Sequence, residues 1–80
     1  MRIDKYLKIS RIIKRRTIAN EACDAGRVKV NSNTVKASYE VKVDDIIEIS
    51  FGTSQFKCKV TAVNEYAKKE DAAEMYETIN

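Results

Sequence analysis

The sequence predicts an α+β domain in which two N-terminal helices pack on a small, mostly antiparallel sheet and a further helix closes the chain. Two observations carry this reading. Apolar residues recur at helical spacing as far as Gly26, and from Arg27 onward they alternate with polar ones. Turn-forming clusters, Asn31-Ser32-Asn33, Asp44-Asp45 and Gly52-Thr53-Ser54, then punctuate the alternating part. Eighty residues give room for one core only.

Taken in order, Ile3, Tyr6, Leu7 and Ile13 share one side of a first amphipathic helix, with Arg2, Lys5, Lys8 and Arg11 on the other. The pattern leaves open whether this helix continues past Ser10. A second helix begins around 15–17, with Ile18, Ala19, Ala22 and Cys23 as its buried stripe. It ends at Gly26, the residue type best suited to a left-handed position just past a helix. Val28 and Val30 mark the first strand, and short strands are expected over 34–36 and 41–43. Ile47, Ile49 and Phe51 share a face of the next strand, and Phe56, Cys58, Val60 and Ala62 face inward on the one after. From about Lys68, the spacing of Ala72, Tyr76 and Ile79 predicts a C-terminal helix.

Several function classes fall away on composition. The chain has no histidine, no Gly-rich phosphate loop and no serine in a nucleophile setting, so it reads as a non-enzyme. Asp44-Asp45 reads as a pair of solvated turn acids. Cys23 and Cys58 are 35 positions apart with no C-x-x-C partner, and read as small buried hydrophobes; neither a metal nor a cofactor is expected. Charges interrupt every apolar stretch near the N-terminus, and no run of about 18 apolar residues exists to span a bilayer. A cytoplasmic protein with reduced thiols and no membrane partner is the expectation.

Charge is distributed unevenly. The first 36 residues carry ten Lys/Arg against three Asp/Glu, a formal +7, while the other 44 carry −4; the overall +3 conceals both. Arg15 and Arg16 fall at a helix start, where the macrodipole disfavours cations by about 0.3–1 kcal/mol each. A docked anion would offset that penalty. Arg27 and Lys29 leave the buried face of the first strand near the end of the second helix and extend the basic set. Beyond its arginines the second helix offers only Asn20, Glu21 and Asp24 outside its stripe, a poor set for reading base edges in DNA. Structured RNA, read by backbone, 2′-OH and shape, fits better.

Arg2-Ile3-Asp4-Lys5-Tyr6-Leu7, then Arg15-Arg16-Thr17-Ile18-Ala19, then Gly26-Arg27-Val28-Lys29-Val30-Asn31 together resemble the RNA-binding domain named after ribosomal protein S-four, the alpha-L motif. The resemblance runs from residue 2 to about 51 and closes with Val41-Lys42-Val43-Asp44-Asp45-Ile46-Ile47. The small size and the tail Lys68-Lys69-Glu70-Asp71-Ala72-Ala73-Glu74-Met75-Tyr76 are similar to the stand-alone RqcP family, relatives of the ribosome-binding heat-shock protein fifteen. The family usually has Asn-Gly where this chain has Asn31-Ser32, and Gly-Asp where it has Asp44-Asp45. The resemblance implies an S-four-type domain over 1–64 and a helical tail over 65–80.

It also implies a function. Such proteins bind large ribosomal subunits obstructed by a nascent chain still attached to tRNA, touch rRNA and peptidyl-tRNA, and work with an RqcH-type factor during alanine tailing. RNA-contacting positions carry over onto Arg2, Arg11, Arg15 and Arg16, with Lys5, Lys8 and Lys14 nearby and Arg27 and Lys29 extending the set. A monomer is expected. Two alternatives stay open: a ribosome-assembly or translation factor on another structured RNA, and the RNA-guiding module of an RNA-modifying enzyme. The absence of a catalytic region after the basic domain weighs against the latter.

Overall fold

The structure, a computed structural model, describes residues 1–79. Helix α1 (Ile3–Ile9) buries Ile3, Tyr6 and Leu7 completely. Its first turn holds Asp4 and its last holds Lys8, both matched to the helix dipole. The helix stops at Ser10, and Arg11 follows with φ +63°. Helix α2 (Arg16–Asp24) lays Ala19, Ala22 and Cys23 inward, small residues that let the two helices approach closely. Ile18 departs from the expected stripe. It is 48% exposed, because the buried arc centres on Ala19 and Cys23 and leaves Ile18 at its flank.

α2 ends in a Schellman turn: the Arg27 N–H donates to the Ala22 carbonyl at 3.0 Å and the Gly26 N–H to that of Cys23 at 3.0 Å, with Gly26 at φ +73°. Strands β1 (Val28–Val30), β2 (Asn33–Thr34), β3 (Ile46–Phe51), β4 (Ser54–Val60) and β5 (Tyr76–Thr78) form one antiparallel sheet in the order β2-β1-β3-β4-β5. Asn31 and Ser32, at φ +51° and +71°, turn β1 into β2. Two positive φ values in a two-residue hairpin loop are the signature of a type I′ turn, which matches the right-handed strand twist. Val28, Val30, Ile47, Ile49, Cys58 and Val60 line the buried face and share one core with both helices and Met75.

Four further expectations are corrected. The strand expected over 34–36 is the two-residue β2 instead. Residues 41–43 form no strand: this stretch instead crosses the N-terminus, where Ile3 N–H donates to the Tyr39 carbonyl at 2.8 Å, Val41 N–H to that of Met1 at 2.9 Å, and Arg2 bridges Glu40. Asp45 is not a solvated turn acid. It is 7% exposed and accepts from Asn31 Nδ2, the Tyr39 hydroxyl and the Lys42 N–H at 3.2, 2.9 and 3.0 Å, while Asp44 is the exposed member at φ +78°. Finally, the C-terminal helix is only a six-residue 3-10 helix (Lys69–Glu74), and the chain then becomes β5. β4 would otherwise present an open edge of unpaired backbone groups. Tyr76, Glu77 and Thr78 cover it opposite Val60, Lys59 and Cys58, and the Tyr6 hydroxyl donates to the Met75 carbonyl at 2.7 Å. Met75 in the core, with Ala67 and Tyr76 packed against it, thus joins the C-terminal segment to the same core as the helices.

Candidate nucleic-acid interface

Asp4 is the lone acid among the first 20 residues, against seven cations. It is also 2% exposed, on the apolar side of α1. Its carboxylate accepts from Arg2 Nε and Nη2 at 3.2 and 3.3 Å, the Lys5 N–H at 2.8 Å, and Asn20 Nδ2 at 3.3 Å. Arg16 adds a looser fork, Nε at 3.4 Å and Nη2 at 3.5 Å. Burial by itself raises the pKa of this carboxyl. The hydrogen bonds from Asn20, Arg16 and the Lys5 N–H, together with the Arg16 charge, outweigh burial and hold it below its ordinary value.

Arg16 is therefore not an unopposed cation at the start of α2: the anion beside it comes from α1. The side chains of Arg2 and Arg16 remain 46% and 48% exposed, so Asp4 fixes two guanidinium groups of adjacent elements at the surface. Arg15 is the N-cap of α2 with an extended backbone and supplies no capping side chain.

A second group forms where α1 ends. Lys8, Arg11 and Lys14 line a groove of about 230 Å³ with Ile9 and, from the far end of the chain, Ala67 and Lys69. Lys69 lies outside the set of cations that the sequence predicts. Its proximity depends on the return of the C-terminal segment past α1, which no local pattern announces. Lys5 pairs with Glu65 at 3.7 Å, tying α1 to that same segment. Arg27 lines a separate depression with Ile13, Ile18, Ser50 and Phe51. Lys29 stands on the exposed face of β1, in register with Thr34 and Glu48. Neither lines the groove of Lys8, Arg11 and Lys14.

Both cysteines are buried, and burial pushes each thiol up to about 11. Neutral, enclosed thiols of this kind pack rather than react.

Residues 1–47 match the S4 domain. Over 80 residues the chain is 55% identical to the RQC P-site tRNA stabilizing factor of Streptococcus pneumoniae, covering 100% of this chain and 91% of that protein. The Bacillus subtilis protein of the same name is 47% identical over 76 residues, 95% of this chain and 88% of that one. Among solved structures, Vibrio cholerae heat shock protein 15 has the same fold, with a TM-score of 0.90 over 99% of this chain and 81% of that one at 22% identity. A hypothetical protein solved in solution gives a TM-score of 0.84 at 28% identity, covering 100% of this chain and 98% of that one.

Proposed function

Because the chain belongs to the S4-domain family, among the RQC P-site tRNA stabilizing factors, we propose that it is a non-catalytic RNA-binding protein of ribosome quality control that stabilises tRNA on the large ribosomal subunit. In this reading it acts in the cytoplasm as a monomer on subunits obstructed by a nascent chain. It contacts rRNA and peptidyl-tRNA together, and so supports RqcH-dependent alanine tailing.

The observation that carries the reading is the pair of arginines held by Asp4. The carboxylate engages two nitrogens on each guanidinium. A guanidinium carries five N–H donors in a planar fork, so both retain donors for phosphate oxygens. Because Asp4 fixes the two groups in advance, less side-chain freedom is lost when RNA binds. Lys8, Arg11, Lys14 and Arg15 add charge along the same N-terminal stretch. Recognition by charge and shape suits a partner whose phosphates are presented by folded RNA.

Co-sedimentation tests this. The protein should travel with large subunits bearing peptidyl-tRNA in preference to vacant ones. Its affinity should also fall with salt along a log–log slope of about −0.7 to −0.9 per phosphate contacted. Equal retention on vacant subunits, or a flat salt response, would overturn the proposal.

A further inference from the structure

The groove at the end of α1 joins residues within the S4 match to Ala67 and Lys69, which lie beyond its end at residue 47. Four of its lining residues are cationic (Lys8, Arg11, Lys14 and Lys69), and among the described residues no carboxylate lines it. Among the described residues, none of the four pairs with an acid. Like charges gathered in a small concavity repel one another in the free protein, and a polyanion relieves that repulsion.

The segment supplying Lys69 is organised in advance. Asn64 accepts from the Tyr66 N–H through Oδ1 at 2.9 Å and from the Ala67 N–H through its carbonyl at 3.3 Å, closing a turn over 64–67. Glu65 ties this turn to Lys5 of α1. The Lys68 N–H donates to the Asp71 carboxylate at 3.3 Å, and the Asp71 N–H to the Lys68 carbonyl at 2.9 Å, fixing the backbone on either side of Lys69. On this pinned turn, immediately before the groove-lining Ala67, Tyr66 is 86% exposed.

We propose that this groove is a second RNA-binding site, in which Lys69 joins Lys8, Arg11 and Lys14 on a backbone phosphate while the Tyr66 ring stacks on a neighbouring unpaired base. The inference rests on the RNA-binding reading above and adds to it a ligand class: a nucleotide displaced from regular helical stacking. Cations set beside an exposed aromatic ring are the combination that binds such a nucleotide, the charges tracking the backbone and the ring taking the base by its face. A flat ring on a preformed turn also loses little freedom on binding.

The test measures binding of full-length variants to large subunits carrying peptidyl-tRNA, across a salt series, with melting temperatures recorded for each. Lys69→Ala should weaken binding several-fold and make the log–log salt slope shallower by about 0.7–0.9, one phosphate contact. Tyr66→Ala should weaken binding at least about fivefold with no change in slope, and Tyr66→Phe should bind like the parent, since stacking needs the ring and not the hydroxyl. Arg16→Ala, outside the groove in the pair held by Asp4, serves as the reference for the proposed function. An unchanged slope in Lys69→Ala would overturn the phosphate site, and unchanged affinity in Tyr66→Ala would overturn the stacking platform. If Arg16→Ala loses affinity while both C-terminal variants bind normally, the inference fails and the proposed function stands. If all three bind normally, the proposed function fails as well.

Discussion

The two helices end in the same backbone conformation with opposite residue choices. Past α2, Gly26 takes φ +73° and closes the Schellman turn that sends the chain into β1. Past α1, Arg11 takes φ +63°, and its N–H donates to the Lys8 carbonyl at 3.1 Å as such a turn requires. The next link differs, since Ile13 rather than Ile12 reaches back to Leu7, at 3.0 Å. Glycine enters the left-handed region without steric cost, whereas an L-residue bearing a Cβ loses about 1–2 kcal/mol there. At Gly26 only the backbone matters. At Arg11 the chain tolerates strain and keeps a cation in the groove with Lys8 and Lys14. Strain at a non-glycine residue is a reason to test what its side chain does.

The strongest way to break this arrangement is at the other ends of the same helices, where Asp4 joins α1 to the start of α2. Asp4→Ala should destabilise the protein by about 2–3 kcal/mol in urea unfolding. That is less than the full cost of orphaning a buried pair, because the half-exposed arginines rehydrate. The same carboxyl sets a pH dependence. Held below its ordinary value in the fold, it contributes stability that is complete above the unfolded-chain pKa of about 3.9. That contribution is lost as pH falls through the lower native value. Asp4→Asn should therefore narrow its stability gap to the parent on acidification below about pH 4.

Gly26→Ala should cost about 1–2 kcal/mol. The loss would be conformational, because the added Cβ would meet nothing closer than Thr34 Cγ2 at 4.0 Å. Ser32→Gly sharpens the contrast from the other side. Ser32 holds φ +71° in the β1–β2 turn, away from the groove, so glycine there should stabilise the fold by about 0.5–1 kcal/mol and leave RNA affinity unchanged. Thermal melts and binding isotherms of the same samples measure both halves.

How far the fold could be read in advance follows the range of the interactions that decide it. Gly26, the change of apolar period at Arg27 and the Asn31-Ser32 turn are local signals, and each sits where it was expected. Ala72, Tyr76 and Ile79 have helical spacing, yet Tyr76 pairs with Val60, sixteen residues back, because an open sheet edge outweighs a weak local preference. Ile18 lies on the apolar stripe of the sequence but outside the arc that α1 covers. In the site, the cations were visible as composition while their grouping was not. Asp4 did leave a trace, as a single acid at an inward position among cations. Lys69 left none, because only the return of the chain past α1 brings it to the groove.

Arg11→Gly decides between strain retained for binding and strain without consequence. The variant needs two measurements on one preparation: the melting temperature of the free protein, and the affinity for large subunits carrying peptidyl-tRNA. The melting temperature should rise, reflecting a gain of about 0.5–1 kcal/mol from a residue suited to the left-handed position. Affinity should fall about tenfold or more, the value of one charge-assisted contact at about 1.5–3 kcal/mol. A variant that melts lower would contradict the strain at Arg11, and one that binds as well as the parent would contradict its assignment to the RNA surface.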